Sequence, residues 1–134
     1  MNTYTIRDLS QRFNVPSSTL RYYEDMGLLE NVERTEHNQR IYTDEHIRRL
    51  EGINCFKRTG LPIAKIQEFY EYESNLDEHI DDIIHLVTDH ENNIQARIAE
   101  LQQELLHIQH KVRFYNGIKE SIDSGSPKPV WEDF

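Results

Sequence analysis

From Ile80 to Ile122 the chain repeats an apolar side chain in alternating steps of four and three. One series, Ile80, Val87, Ile94, Leu101, Ile108, Tyr115 and Ile122, is apolar throughout. The interleaved series, Ile84, Glu91, Ile98, Leu105, Val112 and Lys119, is broken only by its two charged members. No proline falls in the stretch and no glycine before Gly117, so the repeat is that of a coiled-coil helix. Such a helix, placed at residues 79–120, reaches ~60 Å at about 1.5 Å per residue and cannot cover its own stripe. A homodimer is therefore expected, zipped through Ile84, Val87, Ile94, Ile98, Leu101, Leu105, Ile108, Val112 and Tyr115. Glu91 and Lys119 read as polar seam positions that fix register. The flanking e positions (Asp81, Thr88, Gln95, Gln102, Gln109 and Asn116) carry almost no charge, which leaves parallel and antiparallel pairing both open.

Composition agrees with a shared core. Hydrophobic residues make up 37% of the chain and the mean hydropathy is −0.78, low for 134 residues folding around a fully private core. No apolar run approaches the ~20 residues of a membrane span, and no signal-peptide pattern is present. Cys55 is the lone cysteine, so an internal disulfide is excluded and a reducing cytoplasm is the expected setting. The formal charge of −9 is uneven. Residues 1–72 carry ten Lys/Arg against eleven Asp/Glu, and residues 73–134 five against thirteen. The first part is thus close to neutral, and clustered arginines there can still create a local positive potential. The chain has no Gly-rich phosphate loop and no Cys/His set at metal spacing, so neither an enzyme nor a bound metal or cofactor is expected.

The first 72 residues divide into short elements. Thr5 and Asp8 form a capping-box-like start, Ile6, Leu9 and Phe13 follow at helical spacing, and Asn14 is the stop. A second helix begins at Pro16 or Ser17 and runs to Met26, with Gly27 as a left-handed terminator. Two short helices joined by about three residues have the dimensions of a helix-turn-helix. Residues 28–42 read as an extended hairpin or wing with a polar turn at Glu36–Asn38. Thr43 caps a third helix that ends at Gly60, with Ile47, Leu50, Ile53 and Phe56 along one side; Pro62 opens a fourth carrying Ile63, Ile66, Phe69 and Tyr70. Residues 73–78 read as a polar connector, and 121–134 as a short tail broken by Gly and Pro.

The stretch NVPSSTLRYYEDMGLL, residues 14–29, concentrates the functional signal. Leu20 and Tyr23 are three apart and face helix one, which leaves Ser18, Arg21 and Tyr22 projecting outward. Arginine offers a planar fork to guanine edges or phosphate, and Ser and Tyr hydroxyls donate to phosphate. Together with Arg34 and the segment NQRIYTDEHIRRLEGINCFKRTGLPIAKI, this region resembles the MerR family of bacterial transcriptional regulators from residue 4 to about 70. TLRYYE followed by GLL is far more specific than a general helix-turn-helix pattern.

The resemblance implies a mainly α protein, an N-terminal winged helix-turn-helix followed by the coiled-coil helix. It implies Arg21 and Tyr22 as DNA contacts of the second helix, beside the outward Ser18 read from helical spacing, with Arg34, Arg40 and Tyr42 as wing contacts and Lys57 and Arg58 beside a second wing. The implied partners are double-stranded promoter DNA and, through the promoter, RNA polymerase. Where the family wing reads Gly-Tyr-Arg-x-Tyr, this chain reads Asn38-Gln39-Arg40-Ile41-Tyr42. Asn accepts the left-handed backbone of the glycine, but Gln39 removes a tyrosine. Cys55 matches the lone cysteine of a subgroup that responds to aldehydes and other thiol-reactive electrophiles, and a sensing role is the expectation that follows. Arg48 and Arg58 would flank it, while the C-terminal end of the helix dipole opposes an anion there. The histidines at 79, 85, 90, 107 and 110 fall mostly on outer heptad positions and read as a solvated face. A coiled-coil adaptor with no DNA role is one rival, which accounts for the heptads but not for the TLRYYE string; a DNA-binding repressor without thiol sensing is the other.

Overall fold

The computed structural model describes residues 2–134. In chain order the elements are β1 (Thr3–Tyr4), α1 (Ile6–Phe13), α2 (Ser17–Asp25), β2 (Glu33–Arg34), β3 (Arg40–Thr43), α3 (Asp44–Arg58), α4 (Ile63–Ser74) and α5 (Leu76–Ser124), then a 3-10 turn at Trp131–Asp133. Contacts cluster into two units that divide between Thr88 and Asp89.

Local chemistry sets the boundaries in the first unit. Thr5 Oγ1 accepts the Asp8 N–H at 3.0 Å, and the Asp8 carboxylate accepts the Thr5 N–H at 2.9 Å, a reciprocal box that satisfies two open donors of α1. Asn14 adopts φ 52° to close the helix. α2 ends in a Schellman arrangement: Leu28 N–H bonds Tyr23 O, Gly27 N–H bonds Glu24 O, and Gly27 takes φ 78°. That backbone conformation suits glycine above other residues.

Leu9, Leu20 and Tyr23 bring α1 and α2 together, and Ile47, Leu50 and Ile53 of α3 with Ile66 of α4 complete the core. Each fully buried aliphatic side chain contributes about 2 kcal/mol. The sheet has the order β1-β3-β2 and is antiparallel throughout. Thr3 pairs with Thr43 and Tyr4 with Tyr42, while Glu33 pairs with Ile41 and Arg34 with Arg40. β1 was not foreseen, since two residues are too few for an alternation to register.

The polar stretch 73–78 is not a connector. α4 continues to Ser74 and α5 starts at Leu76, so only Asn75 separates them, with a second departure from helical geometry at His79. Polar composition does not oppose a helix, and Asp77 and Glu78 in the first turn of α5 complement its N-terminal dipole.

In the second unit α5 ends at Ser124, and Gly125 (φ 72°) turns the chain. The tail then folds back on the helix. The Trp131 ring stacks on His110 with centroids 3.9 Å apart and planes 8° off parallel, and His110 Nε2 donates to Trp131 O at 2.7 Å. Phe114 packs edge-on against both Trp131 and Phe134. The solvated reading of the outer histidines therefore fails at His110, which is half-buried, and at His90, which is buried. A second stripe, Phe114, Gly117 and Ser121, runs beside the seam and was the available signal: Gly117 leaves room that Phe134 occupies, and Ser121 is buried.

Candidate nucleic-acid interface

Burial of Leu20 and Tyr23 fixes the rotation of α2, so Ser18, Arg21 and Tyr22 face outward. Tyr22 remains 47% exposed although it is a large aromatic. No stability requirement calls for a free Arg-Tyr pair on a short helix. The wing follows at β2 and β3. Arg34 is exposed, and its Nη1 donates to Asn38 O at 3.3 Å and more weakly to Asn38 Oδ1 at 3.4 Å. Asn38 takes φ 63°, so the turn retains the left-handed residue despite lacking glycine, and Gln39 is exposed beside it.

Arg40 and Tyr42 differ from the expectation. Arg40 Nε donates to Glu24 Oε2 at 2.6 Å, and the two side chains are only 21% and 18% exposed. The pair fastens the wing to α2, so Arg40 holds the recognition helix and the wing in one geometry. Tyr42 is fully buried and part of the core. Its assignment as a surface contact is corrected: β3 alternates in and out, and Tyr42 falls on the inward face over His46. The Tyr42 hydroxyl nevertheless has no hydrogen-bond partner. Burial, reinforced by the charge of Glu24, pushes its pKa up to about 12, and Arg40, Arg21 and Arg34 partly offset the rise. The β2–β3 ladder pairs Arg34 with Arg40, and Arg40 in turn reaches Glu24 of α2.

Lys57 and Arg58 lie in the last turn of α3. Lys57 Nζ donates to the Tyr23 hydroxyl at 2.8 Å and stands 5.3 Å from that ring's centroid, which ties α3 to α2, while Arg58 is exposed. Cys55 is also exposed. From α4, Tyr70 meets α3 one turn earlier: its hydroxyl sits where a Cβ on Gly52 would come within 2.7 Å, and its ring lies 4.1 Å from the Arg49 guanidinium. Burial raises the Tyr70 pKa, the Arg49 guanidinium partly offsets the rise, and the charge of Glu73 adds to it.

Several supporting residues were not foreseen. Buried His46 accepts the Thr43 N–H at Nδ1 (2.9 Å), so Nε2 carries the proton donated to Glu30 O at 2.7 Å. Arg49 Nη1 donates to Leu28 O at 3.0 Å, and Gln67 Nε2 to Met26 O at 3.1 Å. Together they immobilise the loop between α2 and the wing. Nothing local marks these residues, because their partners lie 16 to 41 positions away.

Along α5, Ile84, Val87, Ile98, Leu101, Leu105, Ile108, Val112 and Tyr115 are 38% to 68% exposed, and Ile94 is half-buried. A stripe of this size on a single chain is an association surface. Among the described residues, no helix is long and apolar enough to cross a membrane.

The MerR HTH family regulatory protein model matches residues 4–73, and a second model, MerR DNA binding, matches residues 47–111. An uncharacterized HTH-type transcriptional regulator from Haemophilus influenzae is 32% identical over 117 residues, covering 87% of each chain. The crystal structure of HiNmlR, a MerR family regulator lacking the sensor domain and bound to promoter DNA, superposes with a TM-score of 0.81 at 31% identity, over 93% of this chain and 92% of that one. A MerR family transcriptional regulator from Bacillus thuringiensis gives 0.71 at 32% identity, over 84% and 98%. The matched helix-turn-helix, the outward Arg21-Tyr22 face and the long helix agree with one another: the chain belongs to the MerR family of HTH transcriptional regulators.

Proposed function

We propose that this regulator binds a two-fold promoter operator as a homodimer and distorts the duplex, so that the promoter elements are re-presented to RNA polymerase. The carrying observation is the outward Ser18-Arg21-Tyr22 face beside Arg34, in a frame where Arg40 and Lys57 brace α2. The exposed α5 stripe supports the dimer, and the promoter-bound relative HiNmlR supports the target. Phosphate contacts supply binding energy that offsets the cost of bending DNA. Two copies joined along α5 set the separation of the two recognition helices, and with it the half-site spacing.

Gel shifts on the protein's own upstream promoter test this against the adaptor reading. Affinity should fall linearly on a log-log salt plot, by roughly 1,000-fold between about 50 and 200 mM salt if some six phosphates are contacted. A flat salt response, or no shift, would favour the adaptor.

The exposure of Cys55 favours an additional reading, in which electrophile modification of its thiol switches the regulator. An adduct there would add bulk to α3 one helical turn beyond Gly52, where Tyr70 of α4 packs, and so alter how the helices after α3 seat. Promoter output on electrophile exposure should rise or fall severalfold in wild type and stay constant in Cys55→Ser. An equal response from both removes the thiol from the mechanism.

A further inference from the structure

The joint between α4 and α5 is tighter than one intervening residue suggests. Asn75 closes α4 with its N–H on Tyr72 O, and its side-chain Nδ2 donates to Glu78 Oε2 at 2.8 Å. Four residues later the helix departs from regular geometry at His79 (φ −122°, ψ 16°) before resuming. A bend without proline or glycine needs a side-chain cause, and His79 has contacts in both directions. Its ring packs on Tyr72 of α4 with centroids 4.9 Å apart, and its Nδ1–H donates to Asp82 Oδ2 of α5 at 2.9 Å. Tyr72 is itself anchored: its hydroxyl donates to Glu68 Oε1 at 2.7 Å, and Glu68 also meets Lys65 Nζ at 3.2 Å. The bond to Glu68 holds the Tyr72 pKa up at about 12 and, with Lys65, draws the Glu68 carboxyl below its usual range. Five side chains, Lys65, Glu68, Tyr72, His79 and Asp82, thus form a continuous strap from the first turn of α4 across the bend.

We propose that His79 is a positioning residue that sets the angle at which α5 leaves α4, and thereby selects the half-site spacing the dimer accepts. The inference rests on the operator-binding reading above. Its leverage is geometric. With α5 held against its partner, a turn at the joint swings the DNA-binding end about His79; a domain of that size is roughly 25 Å across, so a turn of about 10° displaces its far side by roughly 4 Å. One base pair advances a half-site by about 3.4 Å. A joint that yields by about 10° therefore blurs spacing by a base pair or more. His79 governs that stiffness because it bridges the two helices at the point of the bend: its ring bears on Tyr72 of α4 and its Nδ1 on Asp82 of α5.

The test is a gel-shift series on two-fold operators that differ only in spacer length, using the intact protein. Wild type should prefer one spacing over its neighbours by at least 10-fold. His79→Ala should bring the neighbours to within about 3-fold or move the optimum, with affinity for an isolated half-site unchanged. His79→Asn, whose amide can still donate to Asp82, should recover part of the preference, which loss of stability alone does not explain. Should His79→Ala lose helix content, Tyr72→Leu and Asp82→Ala cut the strap from either side and should give the same flattening. A His79→Ala profile matching wild type, with spacing selectivity intact, overturns the inference and leaves operator binding standing. Failure of wild type to bind any two-fold operator removes both.

Discussion

Leu105→Asp is expected to separate the dimer and to abolish operator binding with it. Leu105 lies mid-seam, between Leu101 and Ile108, and half of its surface is open in the single chain. Pairing removes that surface from water in both copies, and each buried leucine contributes about 2 kcal/mol. The aspartate loses this twice and adds an unpaired carboxylate to an apolar seam, costing several kcal/mol more. Sedimentation should then find single chains at micromolar concentration, where wild type should sediment as a dimer. Losing the linkage between two half-site contacts lowers operator affinity by roughly 100- to 10,000-fold. Gln103→Asp, on the outer face two residues away, adds the same charge and should leave both measurements unchanged. A Leu105→Asp protein that sediments as a dimer would falsify the seam.

The apolar stripe of α5 was legible because its period of 3.5 survives over six heptads without any knowledge of tertiary contacts. The same holds for the caps at Thr5, Asn14 and Gly27, each of which acts within five residues. Leu20 and Tyr23 could be oriented inward from helical spacing alone, and that step fixed Arg21 and Tyr22 as outward. Tyr42 went the other way because family position and burial compete there, and only the β3 register, pairing Tyr42 with Tyr4, shows which face it occupies. Arg40 and Lys57 illustrate a different limit. A basic residue near an interface reads as a phosphate contact, yet Arg40 spends its Nε on Glu24 and Lys57 its ammonium on Tyr23. Neither partner is signalled by spacing, since they lie 16 and 34 residues apart in the chain. The aromatic tail was missed for a related reason. Gly and Pro in SGSPKP argue correctly against regular structure, but a docked strap needs only a groove and two rings.

Arg21→Ala separates the recognition helix from the brace behind it. The side chain is exposed and its removal touches none of the core, so the melting temperature should stay within experimental error. Affinity should fall by about 10- to 100-fold per subunit, corresponding to roughly 1–3 kcal/mol for a lost base or phosphate contact. In a dimer the loss counts twice. The salt slope identifies the contact: a phosphate partner reduces its magnitude by about one per subunit and weakens all sequences alike, whereas a base partner leaves the slope and relaxes preference at one operator position. Arg21→Lys distinguishes further, because the ammonium keeps the charge but cannot reproduce a bidentate fork. Arg40→Ala should show the opposite profile. It strands the half-buried Glu24 carboxylate of α2, so stability and affinity decline together. An Arg21→Ala protein that binds its operator like wild type would mean that the exposed face of α2 is not the reading surface. The matched fold would then be engaging DNA, if at all, through the wing and the end of α3.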